Sequence, residues 1–404
     1  MTSKHDALVA REKKVLFQTY GRYPLAIAAA KGARMTDLDG KQYVDLLAGI
    51  AVANLGHSHP ELLEAMASQA EKLLHVSNLF YQSPQVELAE LLLSTCACDR
   101  AFFCNSGAEA NEAAIKLARR YMRTVRYKDA GEIITLSGSF HGRTLATLTA
   151  TGQAGRIKEG YEPLPAGFSC VPFGDIDALR AAVTQKTAAV LMEMIQGEGG
   201  VLPLPESYVR EAADICREAG CLFMVDEVQT GMCRTGRFWA HQHYGVEPDV
   251  FTTSKALANG LPMGAMLAKE HVAKGFVPGS HATTFGGGGV VSAVAAKVVE
   301  IMKRDDIAGR ARDLGKLALD AFRAVQAKHP DRIAGVRGLG LMIGIVLSGP
   351  GETIHADLRQ RGFVCNLAHG TVLRLLPPLT IAAEDLLAFA QALDDILGSD
   401  KKTS

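Results

Sequence analysis

The chain has 404 residues, 48% hydrophobic and 21% charged, with 43 basic residues balanced by 43 acidic ones. That length exceeds what a single core usually serves, so two lobes are expected, and the charge balance offers no field to attract nucleic acid or an anionic membrane. No apolar stretch reaches the roughly 20 residues that span a bilayer, and the start, Met1-Thr2-Ser3-Lys4-His5-Asp6, lacks the apolar region of a signal peptide, so small-molecule chemistry in the cytoplasm is the default expectation. Near the N-terminus, Asp39-Gly40 between Arg34-Met35-Thr36 and Tyr43-Val44-Asp45 signals a hairpin. From about residue 100 to 270, short apolar runs at 101–104, 132–136, 188–194, 222–226, 250–253 and 264–268 alternate with amphipathic stretches, the pattern of a mostly parallel sheet in an α/β fold. One such stretch, Ser207 to Ala219, puts Tyr208, Ala212, Ile215 and Cys216 on one side and reads as a crossover helix. Beyond 285 come two expected helices, Val290 to Met302 and Ile307 to Ala327, then strand signals at 338–344. The eight cysteines are scattered and read as reduced thiols, and neither Cys96-Ala97-Cys98 nor His57-Ser58-His59 has the companions a metal site needs, so no metal is expected.

Chemistry concentrates where apolar runs end. Lys255 follows Phe251-Thr252-Thr253-Ser254, and Asp226 closes Cys221-Leu222-Phe223-Met224-Val225. Opposite charges at the ends of two parallel strands suit the carboxyl edge of the sheet, where α/β enzymes bind ligands. A lysine there can form a Schiff base with an aldehyde cofactor, and an aspartate can keep the cofactor's ring nitrogen protonated, so the pair reads as a pyridoxal phosphate site. Asn105-Ser106-Gly107-Ala108-Glu109 joins a strand to a helix, leaving free backbone N–H groups at Ser106 and Gly107 for a phosphate, although an ordinary serine N-cap suits the same residues. Phe140 offers a ring to stack and Arg143 a planar fork for a carboxylate; His141 reads as structural, hydrogen-bonded to backbone. Glu198 lies on a post-strand turn, Val228 and Gln229 follow Asp226, and Arg374 sits between Leu373 and Leu375, where a buried guanidinium needs a partner.

Six ordered segments resemble the class III, ornithine-type aminotransferases: Asp45 to Val52, Leu55-Gly56-His57-Ser58-His59-Pro60, Asn105 to Ala113, Phe140-His141-Gly142-Arg143-Thr144, Asp226-Glu227-Val228-Gln229-Thr230-Gly231 and Arg374-Leu375-Leu376-Pro377-Pro378. The resemblance implies a fold-type I transferase dependent on pyridoxal 5′-phosphate. Its large domain would hold a mostly parallel sheet sandwiched by helices, with a smaller α+β domain from both termini. The expected division is 1–60, 61–284 and 285–404, with the middle segment binding the cofactor, and the expected assembly is a homodimer with active sites at the interface.

The same resemblance assigns roles. Lys255 would hold the cofactor and shuttle the proton, Asp226 would pair with its ring nitrogen and Gln229 with its phenolic oxygen, while Phe140 and Val228 would sandwich the ring. Ser106, Gly107 and Ala108 would seat the phosphate, joined by Thr284 from the other subunit. The implied reaction moves the δ-amino group of N-acetylornithine to 2-oxoglutarate, giving glutamate, a step of arginine biosynthesis. Arg143 would take the acylornithine α-carboxylate and the glutamate γ-carboxylate, and Arg374 the glutamate α-carboxylate after releasing Glu198. Ile50 and Tyr20 complete the expected substrate site, Ile50 standing where ornithine-specific relatives resemble one another in having tyrosine. Succinylornithine, succinyl-diaminopimelate and 4-aminobutyrate remain alternative donors. A glutamate-1-semialdehyde aminomutase is disfavoured by Arg143, and a non-catalytic binding protein by the intact Lys255 and Asp226. Three departures from the family pattern stand out: Gly288-Gly289 in the loop after Thr284, expected to loosen it, Met194 where proline is common, and Cys233 where glycine is frequent.

Overall fold

The computed structural model describes residues 4–399; the outermost residues of the first and last expected segments lie outside it. Seven strands form the central sheet, in the order Arg100–Cys104, Gly264–Ala268, Val250–Thr253, Leu222–Asp226, Thr187–Met192, Glu132–Leu136, Phe168–Val171. Only Gly264–Ala268 runs antiparallel to its neighbours. The strands Leu222–Asp226, Val250–Thr253 and Thr187–Met192 are buried along their whole length, which explains why they read as continuous apolar runs rather than alternating ones. Fully burying each Val, Leu or Phe contributes about 1.5–3 kcal/mol before entropy is counted, so these three strands are a firmly packed platform on which to mount a side chain.

Helices cover the sheet. Gly107–Thr124 buries Ala110, Ala113, Ala114, Leu117, Ala118 and Tyr121, the face its sequence period marks out, and Glu206–Ala219 buries Tyr208, Val209, Ala212, Ile215 and Cys216. Two expectations need correction. The run 188–194 stops being sheet at Met192; Ile195–Gln196 pairs with Leu202–Pro203 in a separate ribbon, which turns Glu193 out at the sheet edge. The edge strand Phe168–Val171 was not anticipated, because its half-exposed, four-residue pattern carries little apolar signal.

The terminal segments meet. The hairpin Arg34–Asp37 and Gln42–Asp45 forms around Asp39-Gly40, with Asp37 Oδ1 accepting the N–H groups of Asp39 and Lys41, and Phe363–Val364 adds to it in parallel. A second sheet pairs Ile333–Leu339, Met342–Leu347, Val372–Leu375 and Asn366–Ala368, all antiparallel. The 338–344 signals therefore belong to two strands and the turn at Gly340. Between these layers, Ala48, Gly49, Ile50 and Ala51 all have positive φ (49°, 65°, 67° and 59°). A left-handed turn of this kind costs roughly 1–2 kcal/mol per non-glycine residue. Asp45 opposes that cost by accepting the Leu47 and Ala48 N–H groups on Oδ1, both at 2.8 Å. Among the described residues no helix is long and apolar enough to cross a membrane.

Candidate active site

Five strand ends converge on one edge of the sheet. Lys255 follows Val250–Thr253, Asp226 ends Leu222–Asp226, Glu193 follows Thr187–Met192, Phe140 to Arg143 follow Glu132–Leu136, and Ser106 follows Arg100–Cys104. They surround a cleft of about 260 Å³ lined by Gly107, Ala108, Asn111, Phe140, His141, Gly142, Arg143, Glu193, Glu198, Asp226, Val228, Gln229, Ser254 and Lys255. A larger hollow of about 680 Å³ opens beside Cys221 and Leu222, at the opposite end of the same strand. Size does not identify the site; the convergence of titratable groups does.

The Asp226 carboxylate is buried and held on three sides. Oδ2 accepts from Asn111 Nδ2 at 2.7 Å and lies 2.8 Å from His141 Nδ1, while Oδ1 accepts the Val228 N–H at 3.0 Å. Asn111 is fixed in turn by Thr252 Oγ1 and by the His141 carbonyl. His141, expected to be structural and hydrogen-bonded to backbone, also turns its ring to Asp226 and orients it. His141 Nε2 and Gln229 Oε1 are buried without a hydrogen-bond partner among the described residues.

Around the lysine the charges are mixed. Burial lowers the Lys255 amine from the ordinary lysine range, while Glu198 and Asp226 hold it up and Arg374 opposes them. Lys255 itself has φ 46°, strain of the kind that gathers at working sites. Burial, with Asp226 adding to it, raises the Glu193 carboxyl to about 7 against the opposing pull of His141. Glu193 Oε2 also accepts the Phe140 N–H at 3.0 Å. Glu198 behaves oppositely: burial would raise it, but Arg374, with Lys255 and Gln229 adding to it, outweighs burial and the carboxyl is lowered. Arg374 is buried, donating from Nη1 to Glu198 Oε1 at 2.5 Å and from Nε to Asn366 Oδ1 at 3.0 Å. Arg143 is exposed at the mouth, its guanidinium 5.5 Å from the Phe140 ring centre, with no carboxylate partner among the described residues.

Ser106 caps the helix Gly107–Thr124, its hydroxyl accepting the Glu109 N–H at 3.1 Å. The first helical N–H groups, at Gly107 and Ala108, have no intrahelical acceptor and face the cleft. A Cβ on Gly107 would fall 2.7 Å from Val228 Cγ1, so glycine is what lets this turn approach the residue after Asp226. Five expected residues do not line the cleft within one chain: Ser106 and Arg374, which adjoin its lining residues Gly107 and Glu198, and Thr284, Tyr20 and Ile50. Thr284 is exposed and lines a neighbouring hollow with Asn78, Leu79 and Phe103; Tyr20 is 74% exposed, and Ile50 lies on the left-handed turn. In the loop after Thr284, Gly286 is buried where a Cβ would collide with the backbone of Phe103 and Cys104, so that glycine meets a packing requirement. Cys233 has φ 69°, in the region that favours the glycine it replaces.

Sequence reasoning gave Asn111, His141 and Glu193 no part at this site. Asn111 lies one turn after Gly107 and so on the same helix face, and Glu193 is the lone charged residue closing the apolar run 188–192, the same local signal that Asp226 carries.

The family model for class-III aminotransferases matches residues 17–397. The chain is 46% identical over 394 residues to the acetylornithine aminotransferase of Methanocaldococcus jannaschii, covering 97% of this chain and 98% of that one. It is 45% identical to the Myxococcus xanthus protein of the same name, over 95% and 96% of the two chains. Among solved structures, the ornithine aminotransferase of Toxoplasma gondii superposes with a TM-score of 0.95 at 29% identity, over 100% and 97% of the two chains. The acetylornithine aminotransferase of Elizabethkingia anophelis does so with 0.89 at 32% identity, over 98% and 100%.

Proposed function

The chain belongs to the class-III aminotransferase family, and from that premise we propose that it transfers the δ-amino group of N-acetylornithine to 2-oxoglutarate with pyridoxal 5′-phosphate as cofactor. The products are N-acetylglutamate 5-semialdehyde and glutamate. The residues fit the cofactor. Free N–H groups at Gly107 and Ala108 suit a phosphate, the oriented Asp226 carboxylate suits a protonated ring nitrogen, and the unpartnered Gln229 Oε1 and His141 Nε2 mark a cleft made for a polar group. When bound, the cofactor's aldehyde takes up the amino group and its protonated ring draws electrons from the carbon that loses a proton.

The protein's own part is positioning and proton transfer. Lys255 Nζ, its basicity lowered by burial, takes the proton from the donor's δ-carbon in one half-reaction and delivers a proton to the α-carbon of the acceptor in the other. Asn111 and His141 keep Asp226 aimed, and Phe140 and Val228, which line the cleft, would hold the ring. The observation that carries the substrate reading is the contrast between the two arginines. Arg143 is open to a carboxylate, whereas Arg374 is already paired with Glu198. A donor with one carboxylate, N-acetylornithine, needs only Arg143; a dicarboxylate, glutamate or 2-oxoglutarate, uses both arginines once Glu198 swings aside.

Ornithine as donor is the second reading, favoured by the higher TM-score of the Toxoplasma enzyme. Overall fold responds little to one substrate contact, and apolar Ile50 offers nothing to a free α-amino group, so the blocked amine is preferred. A homodimer is supported by apolar side chains left uncovered beside Thr284: Leu74, Leu79, Phe80, Tyr81 and Phe285 are each more than half exposed. In that assembly Thr284 would reach the partner's phosphate site. Two measurements test the proposal. Borohydride reduction of the yellow holoenzyme should fix the cofactor on Lys255, and fixation on another lysine refutes the site. Rates with N-acetylornithine, succinyl-diaminopimelate, ornithine and 4-aminobutyrate, with 2-oxoglutarate as acceptor, should rank N-acetylornithine first.

A further inference from the structure

Asn259 ends the short turn Lys255–Ala258 and, like Lys255, has φ 46°. Its side chain reaches a distant part of the chain: Oδ1 accepts the Leu55 N–H at 2.8 Å and Nδ2 donates to the Gly56 carbonyl at 3.0 Å. Both polar groups of the amide are thus spent on one backbone segment, as a neighbouring strand would spend its own N–H and C=O. That segment directly follows the left-handed turn Ala48–Ala51. Its other ties include Asn54 Nδ2 to the Met232 carbonyl at 2.9 Å, the Leu379 N–H to the Asn54 carbonyl at 2.7 Å, Arg234 to Asn54 Oδ1, the Gly32–His57 backbone pair, and His57 Nε2 to Asp45 Oδ2 at 2.7 Å, and Asp45 also holds the left-handed turn. The turn that carries the reactive amine is therefore tied by one side-chain amide to the Leu55–Gly56 segment beyond the left-handed turn. Glycine would adopt this φ at least as easily as asparagine, so conformation alone does not account for an asparagine here; the two hydrogen bonds do.

We propose that Asn259 is a positioning residue that ties the Lys255 turn to the Leu55–Gly56 segment, so that one side chain sets the reach of the amine. This rests on the reading of Lys255 as the reactive amine. The consequence is a change at the Lys255 amine that simple destabilisation does not produce. Loosening the clasp displaces Lys255 Nζ for every substrate, so kcat falls in both half-reactions.

Asn259→Gly is the informative change, because it preserves the backbone conformation and removes only the two hydrogen bonds. Hydrogen exchange at the Leu55 amide should speed up. In the cofactor-free full chain, the pH midpoint for acetylation of Lys255, followed by mass spectrometry, should move up towards the ordinary lysine range as solvent reaches the amine. The groups facing that amine, Glu198, Asp226, Glu193 and Arg374, are unchanged in the variant, so the movement reports its position. Turnover should fall about tenfold or more, given how steeply rate depends on placement. Asn259→Asp keeps the acceptor for Leu55 and loses the donor for Gly56. Its added carboxylate would itself raise the midpoint, so in that variant kcat carries the test if the glycine variant does not accumulate. An unchanged Lys255 midpoint together with unchanged kcat, even in a less stable variant, overturns the proposal and leaves Asn259 as a turn former. Fixation of the parent's cofactor on a lysine other than Lys255 would instead refute the function proposed above, an outcome the borohydride arm distinguishes.

Discussion

Removing the Glu198 carboxylate should separate the two half-reactions. In Glu198→Ala, Arg374 keeps Asn366 Oδ1 but loses its only carboxylate among the described residues. Stranding one member of a wholly buried pair costs about 3–5 kcal/mol, and of an exposed pair about 0–1 kcal/mol. The Arg374 side chain is 2% exposed and that of Glu198 33%, so an intermediate cost of roughly 2 kcal/mol is expected, weighted down for the part that water screens. Glutamate brings an α-carboxylate to replace the missing partner; N-acetylornithine brings none. The differential should therefore appear as an approximately 30-fold greater slowing with the acylated donor. Single-turnover mixing of the holoenzyme variant with each donor, followed by absorbance, measures both rates separately. Equal slowing in the two half-reactions would refute the gate and reduce Glu198 to a support for its turn.

Arg143→Lys should raise KM for both N-acetylornithine and glutamate, because a point charge does not reproduce the planar fork; an effect on only one substrate excludes a shared carboxylate site. Asp226→Ala should retain part of its cofactor binding yet lose orders of magnitude in kcat, since the ring nitrogen then has no anionic partner, and near-normal turnover would remove that role. Thr284→Val should raise the cofactor dissociation constant measured by fluorescence titration of the cofactor-free protein, and an unchanged constant removes Thr284 from the phosphate site. Glu193 gives a pH test. Its folded-state carboxyl is raised from 4.5 to about 7, so the folded protein keeps a proton that the unfolded chain has released. The associated stability is full below the lower value and is lost as pH rises through the upper one. Glu193→Gln, which cannot ionise, should therefore gain on the parent in urea unfolding between about pH 5 and pH 8, and a constant difference between the two proteins would contradict the shift.

The sequence by itself determined the elements and the ends of the strands that matter. The runs closing at Asp226 and Thr253 are apolar throughout because both faces of those strands are covered, and a parallel sheet sends the ends of such strands to one edge. That logic brought Lys255 and Asp226 together before any coordinates. The Ser106 cap was legible for the same reason, being a contact within four residues. The class-III assignment was legible because its motifs are contiguous.

Tertiary structure decided whatever depends on how separate pieces dock. The ring of His141 turns to Asp226 only because the loop after Glu132–Leu136 lies against the end of Leu222–Asp226. Glu193 faces the cleft because its strand stops at Met192 rather than running on. Four successive positive φ values at Ala48–Ala51 run against the local preference of three of those residues and are sustained by Asp45 and by packing that a sequence window does not contain. The placement of Thr284, Tyr20 and Ile50 rested on family resemblance alone, and one chain leaves all three outside the cleft. Periodicity is a property of neighbours in sequence, whereas a carboxylate's partners are set by long-range packing, and that difference divides what could be read from what had to be seen.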